Sequence, residues 1–249
     1  MGGPSFSLAG KVVLVTGASY GIGEGLSRVL ADAGAEVAVA ARSREPLEAL
    51  AKDIGGHAVP MDVTDVGSIR AGVDRVVERY GRLDVLVNNA GLGDNQAAVD
   101  VSEADWDRMF AVNARGLFFC CQAAARHMLP RRSGRIVNMS SQAGLVGIRG
   151  HAVYSSTKGA VNQLTKVLAL EWSPEGVTVN AVAPTFTYTP GTRERLDDPA
   201  FRASVLARIP AGRVGTIDDI AAAVIYLASP AASLVTGTVL VVDGGWTAE

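Results

Sequence analysis

Short, continuous apolar runs alternate along the chain with longer stretches whose apolar residues recur every three or four positions. The runs at 12–15 (VVLV), 36–41 (EVAVAA), 57–61, 84–87, 134–139, 177–182 and 238–242 predict strands buried on both faces, as in a parallel sheet. The periodic stretches at 43–54, 66–80, 102–129, 152–172 and 216–228 predict helices. One more lies at 22–33, where Ile22, Leu26, Val29 and Leu30 share a face and Gly34 marks the stop. Ser102 with Asp105, and Thr216 with Asp219, stand as capping pairs at two helix starts. Strand-helix alternation over residues 1–249, with no linker or repeat, predicts one α/β domain. Its core is a doubly wound parallel sheet of about seven strands with helices on both faces. The polar stretch 183–215 is too long for an ordinary connection and is expected to be a functional loop.

Ligands of such sheets bind at the carboxyl ends of the strands. That rule singles out Gly17 to Gly23, Arg42, Asp62-Val63, Asn88 to Gly91, Ser140-Ser141 and Pro184 to Thr189. The first of these, Gly17-Ala18-Ser19-Tyr20-Gly21-Ile22-Gly23, joins a strand to a helix in a Rossmann-like arrangement. Gly17 takes the tight turn, Gly21 lets the backbone approach a pyrophosphate, and Gly23 lets the helix pack close to the strand. The helix N-terminus then offers free N–H groups to phosphate. The spacing is G-x-x-x-G-x-G rather than the G-x-G-x-x-G of the standard dinucleotide fingerprint.

Composition narrows the partners. The hydrophobic share of 48% and charged share of 19% argue against disorder. A net charge of -2 gives no electrostatic case for nucleic acid or an anionic membrane. Cys120 and Cys121 are adjacent, too close for a mutual disulfide, and read as small core residues. With His57, His127 and His151 they show no metal-ligand spacing. The first residues do not resemble a secretory signal, and no apolar run reaches membrane-spanning length, so the expected compartment is the cytoplasm.

Tyr154 and Lys158 stand four apart on a predicted helix, hence on one face. An ammonium beside a phenol favours the phenolate and lowers its pKa, which suits proton exchange with an alcohol or carbonyl oxygen. Together, Thr16-Gly17-x-x-x-Gly21-x-Gly23, Asn88-Asn89-Ala90-Gly91, Val112-Asn113-Ala114-Arg115-Gly116, Ser140-Ser141 and Tyr154-x-x-x-Lys158 resemble the short-chain dehydrogenase/reductase family over nearly the whole chain. The resemblance implies hydride transfer between a nicotinamide cofactor and a secondary alcohol or ketone. In it, Tyr154 exchanges the proton, Ser141 polarises the carbonyl, and Lys158 lowers the pKa of Tyr154 and holds the nicotinamide ribose. Asn113 holds a water that relays protons from Lys158.

The resemblance also implies that Asp62 and Val63 contact adenine, that Asn89, Ala90 and Gly91 line the cofactor channel, and that Thr189, with Pro184 and Thr187, contacts the nicotinamide. Thr185 replaces the family's usual Gly. Asn89 has a second reading, as a tie between neighbouring strands. The second strand ends in Ala41 where an acidic residue would bind the ribose of NAD, and Arg42 follows. Arg42, helped by Ser43, favours a 2′-phosphate and so NADP(H), with NAD(H) left open. Gln142, His151 and Tyr188 join Ser141 and Tyr154 as candidate substrate contacts. The substrate loop at about 184–215 carries Arg193, Arg195, Arg202 and Arg208, read as a solvated lid. The tail resembles those of sugar-acid and polyol dehydrogenases, and 3-oxoacyl thioesters are further candidates. A homotetramer is implied by resemblance. A non-catalytic dinucleotide sensor of the same fold is the alternative. It would keep the glycine turn without needing Tyr154, Lys158 and Ser141, and all three are present.

Overall fold

The computed structural model describes residues 3–248. Seven strands form one parallel sheet: β1 (Val12–Thr16), β2 (Glu36–Ala41), β3 (His57–Pro60), β4 (Val85–Asn88), β5 (Gly134–Met139), β6 (Val177–Pro184) and β7 (Val239–Val242). Their order is β3-β2-β1-β4-β5-β6-β7, every neighbouring pair parallel. The chain order reverses between β1 and β4, which opens a crevice there at the carboxyl ends. The helices are α1 (Gly21–Asp32), α2 (Arg44–Asp53), α3 (Val66–Tyr80), α4 (Glu103–Phe110), α5 (Leu117–Met128), α6 (Ala152–Trp172), α7 (Pro190–Asp197), α8 (Pro199–Leu206) and α9 (Ile217–Ala228).

The strands read as unbroken apolar runs because both faces are covered. Val13 and Val15 pack into one core with Leu26 of α1, Leu47 of α2 and Val224 of α9. Their neighbours Val12 and Leu14 point the other way, into a core with Ile69 of α3, Cys121 of α5 and Val161 of α6. The period-two side-chain alternation of a strand thus feeds two cores at once. Cys120 and Cys121 are free and buried; burial alone pushes the Cys120 thiol up to about 12. Below the crevice a polar chain crosses the apolar layers. Asn88 Nδ2 donates to Asn138 Oδ1 at 2.9 Å, and Asn138 Nδ2 donates to Thr165 Oγ1 at 3.0 Å, tying β4, β5 and α6.

Two sequence expectations are corrected here. The stretch 102–129 is helical from Glu103 to Met128, but Ala111–Gly116 inside it winds as a π-helix. Gly116 explains part of this: a Cβ there would stand 2.5 Å from the Val63 carbonyl, so the chain presses against the loop after β3. The stretch 183–215 is not a plain loop, since it holds α7 and α8. Each helix starts on a capping residue followed by proline, Thr189-Pro190 and Asp198-Pro199, with Asp198 accepting from the Phe201 N–H at 2.7 Å.

Candidate active site

The turn after β1 is built by contacts that only glycine permits. Gly17 has φ +64°, and a Cβ on it would lie 2.7 Å from the Ala90 Cα. A Cβ on Gly23 would lie 2.3 Å from the Gly17 carbonyl oxygen and 2.4 Å from Asn89 Nδ2. That amide fills the place a side chain would take, donating to the Thr16 and Gly17 carbonyls at 3.0 and 3.1 Å. Thr16 Oγ1 in return accepts from the Asn89 and Ala90 N–H groups, both at 3.1 Å. Asn89 is therefore both a tie between the β1 and β4 ends and part of the cavity wall. By contrast, a Cβ on Gly21 would meet nothing within 4 Å. Tyr20 precedes α1 without a side-chain cap, so the first N–H groups of the helix are left for an anion. This cradle fits a dinucleotide pyrophosphate.

One cavity of about 580 Å³ runs along the carboxyl ends of the strands. Its wall includes Gly17, Ser19, Tyr20, Gly21, Ile22, Arg42, Asn89, Ala90, Gly91, Ser141, Gln142, His151, Tyr154, Lys158, Pro184, Thr187 and Thr189, all anticipated from the sequence. Arg42 is exposed. Its neighbour Arg44 pairs with Glu48, whereas Arg42 has no ion pair among the described residues.

The catalytic candidates converge through β5 and α6. Ser141 follows β5 and is buried; its Oγ donates to Gln142 Oε1 at 2.7 Å and accepts from the Ala143 N–H at 3.2 Å. Ser140 points the other way, donating to Asn162 Oδ1 at 2.5 Å, while Asn162 Nδ2 donates to the Gly144 carbonyl at 2.9 Å. This clasp fixes the Ser141 turn against α6, the helix that carries Tyr154 and Lys158. Lys158 is 5% exposed, and its Nζ donates to the Met139 carbonyl at 2.7 Å. Burial pushes its pKa down to about 8.

Tyr154 corrects the sequence expectation. Burial raises its phenol pKa, and the neighbouring Ser141 hydroxyl offsets only part of that. The reason is geometric: the ammonium of Lys158 lies 5.6 Å from the Tyr154 ring centre and is spent on the Met139 carbonyl. Asn113 sits behind the cavity. It is buried in the π-helix and clamps Leu92, accepting from its N–H at 2.7 Å and donating to its carbonyl at 2.8 Å, with Thr157 Oγ1 at 3.1 Å. It is not part of the cavity wall. Its Oδ1 and Lys158 Nζ nonetheless face one point, 3.5 and 3.7 Å from a Cβ built on Gly91.

Other candidates fall elsewhere. Tyr188 is outside the cavity wall, with its hydroxyl donating to Asp197 Oδ1 at 2.8 Å; Phe186, two residues earlier, faces inward instead. Strand periodicity puts both residues on one face, so the sequence pattern did not separate them. Ser43, Asp62 and Val63 also lie outside the wall. The Asp62 carboxylate accepts from the Thr64 N–H and hydroxyl at 2.9 and 2.8 Å, which holds its pKa below the usual carboxylate range. Gly23 supports the cradle from behind. Sequence reasoning missed Leu92, Gly93, Asn95, Ile148, Gly191 and Thr192 in the wall. Gly191 takes the Tyr20 ring 3.3 Å from where its Cβ would be, so the start of α7 leans on the turn after β1.

Known proteins resemble this chain in sequence and fold. A family model described as enoyl-(acyl carrier protein) reductase matches residues 17–247. D-threitol dehydrogenase of Mycolicibacterium smegmatis is 42% identical over 97% of this chain and 95% of its own. The 3-oxoacyl-[acyl-carrier-protein] reductase FabG of Thermotoga maritima is 42% identical over 96% of this chain and 98% of its own. The crystal structure of a gluconate 5-dehydrogenase from Burkholderia cenocepacia, in complex with NADP and tartrate, superimposes with a TM-score of 0.94 at 38% identity, covering 98% of both chains. With this match in sequence and fold along nearly its whole length, the chain belongs to the short-chain dehydrogenase/reductase family of oxidoreductases acting on CH–OH groups.

Proposed function

We propose that this protein interconverts a secondary alcohol and a ketone with NADP(H), Tyr154, Ser141 and Lys158 forming the reacting centre. The observation that carries the reading is the convergence of two hydroxyls, those of Ser141 and Tyr154, in the cavity wall beside a buried lysine. Two hydroxyls suit one oxygen atom that changes between carbonyl and alkoxide, which favours carbonyl chemistry over saturation of a carbon–carbon double bond. NADP(H), when bound, supplies or accepts the hydride. The Ser141 hydroxyl turns from Gln142 to donate to the substrate oxygen. Tyr154 gives its proton to that oxygen in reduction and accepts it in oxidation. Its raised pKa keeps the phenol protonated in the free protein, the form that reduction needs. Lys158 holds the nicotinamide ribose, and Asn113 orders a water beside it. Asp62 and Val63 flank the adenine, with Ser43 near the ribose phosphate. Sugar acids, polyols and 3-oxoacyl thioesters are the substrate classes suggested by the relatives' names.

Arg42 supports the cofactor choice, together with neighbours crystallised with NADP. Arg42→Ala should weaken NADPH binding by about 10- to 100-fold and leave NADH nearly untouched, because only the former loses charge-assisted hydrogen bonds. Titration by reduced-nicotinamide fluorescence reads this; equal losses for both cofactors would make Arg42 a general loop charge.

The depressed pKa of Lys158 gives a pH prediction. Its ammonium is present below about 8 and lost above. The value of kcat/KM for NADPH, which reports groups of the free enzyme, should be level below that pH and fall towards about tenfold per unit above it. A profile level to pH 9.5 would show that the ammonium form is not required. The apolar exposed Val167 and Leu170 of α6 support the homotetramer expected from resemblance, which light scattering after gel filtration tests. Among the described residues no helix is long and apolar enough to cross a membrane; a cytoplasmic location remains part of the proposal.

A further inference from the structure

The reacting end of the cavity is walled by Gln142, His151 and Asn95, with the apolar Leu92, Ile148 and Phe186. Among the described residues the cations in the wall are Arg42 and Lys158. Arg42 follows β2, on the nucleotide side, and Lys158 is turned to the Met139 carbonyl. Four of the five arginines of 190–213 are engaged elsewhere, and the fifth, Arg202, is exposed and outside the cavity wall. Arg193 sits over the Tyr188 ring at 5.7 Å, Arg195 over Phe201 at 4.4 Å and Arg208 over Trp246 at 4.4 Å. Arg213 pairs with Asp219 at 2.6 Å. A carboxylate brought to the reacting end would lose its water without gaining a cation, which is costly.

Gln142 offers a hydrogen-bond donor at the same end of the cavity. It is 4% exposed, and its Oε1 accepts from Ser141. Its Nε2 has no hydrogen-bond partner among the described residues, and the side chain lines the cavity. An amide donor on the cavity wall beside the reacting serine suits an oxygen acceptor next to the carbon that reacts, and the lack of a free cation at that end of the wall is what favours a neutral one. A hydroxyl on the neighbouring carbon meets that need, with His151 and Asn95 to take further hydroxyls.

We infer that the substrate is a neutral polyhydroxylated alcohol or ketone, discriminated from its carboxylate counterpart, and that Gln142 is the side chain that reads it. This rests on the alcohol–ketone reading above. The test compares kcat/KM for a linear polyol and for the aldonate of the same length and configuration, with NADP+ as oxidant. The polyol should be favoured by about tenfold or more. Asn95→Arg, which adds a cation to the wall, should narrow that ratio by about tenfold. Gln142→Met should raise KM for the polyol by about tenfold while the NADPH Kd stays within about twofold. Equal or better turnover of the aldonate by the unaltered enzyme, or turnover of 3-oxoacyl thioesters alone, overturns the inference and leaves the alcohol–ketone chemistry standing. No turnover of any of the three classes overturns both.

Discussion

Replacing Tyr154 by phenylalanine should lower kcat by about 10²- to 10⁴-fold and leave the NADPH dissociation constant within about twofold of wild type. The substitution removes one oxygen and keeps the ring. That ring packs edge-on to His151, with centres 6.2 Å apart, and stands 3.5 Å from where a Cβ on Gly93 would be. Those contacts need no hydroxyl, so the fold and the cradle at the turn after β1 persist. What disappears is the proton donor to the substrate oxygen. Steady-state kinetics together with a fluorescence titration separate the two effects. A variant with kcat within threefold of wild type would remove Tyr154 from its role, whatever the cofactor affinity.

The second large effect is structural. Gly23→Ala places a methyl group 2.3 Å from the Gly17 carbonyl oxygen and 2.4 Å from Asn89 Nδ2. Neither neighbour yields cheaply. The first is backbone held by the tight turn, and the second is the amide that ties that turn to the end of β4. Overpacking of this kind costs about 1–3 kcal/mol, a fall of about 5 °C in Tm for a chain of this size. The turn that must shift is also the pyrophosphate cradle, so NADPH binding should weaken by about tenfold or more in the same variant. Thermal unfolding with and without NADPH checks both. An unchanged Tm with unchanged stabilisation by NADPH would mean that the close approach is not needed.

Much of this was legible before any coordinates, because the signals are local. A continuous apolar run followed by a helical period identifies a strand and its crossover, and the two cores on Val12 to Val15 are the direct consequence. The glycine turn, Ser141, Tyr154 and Lys158 follow from spacing and strand-end position. What stayed hidden depends on contacts between distant segments. Nothing near Tyr154 announces how deeply its phenol would be buried, or that the Lys158 ammonium would turn to the Met139 carbonyl, so burial raises its pKa where a lowering was expected. The π-helix at Ala111–Gly116 and the grip of Asn113 on Leu92 arise from packing against loops far off in sequence. The choice of Phe186 over Tyr188 was also hidden, since residues two apart share a strand face and only the hydrogen bond from Tyr188 to Asp197 separates them. The starts of α7 and α8 were open to reading, because Thr189-Pro190 and Asp198-Pro199 are cap-and-proline signals that the charged composition of the segment obscured.

Hydride transfer to a carbonyl carbon is the reaction proposed for this site. NADPH carrying deuterium at the transferable position should be incubated with the enzyme and a panel of ketoses, keto acids, 3-oxoacyl thioesters and enoyl thioesters. The products would then be read by mass spectrometry and proton NMR. One deuterium is expected on the carbinol carbon of a newly formed alcohol, and none in the enoyl series. Deuterium on a saturated carbon of an enoyl product, or no transfer to any carbonyl, would contradict it.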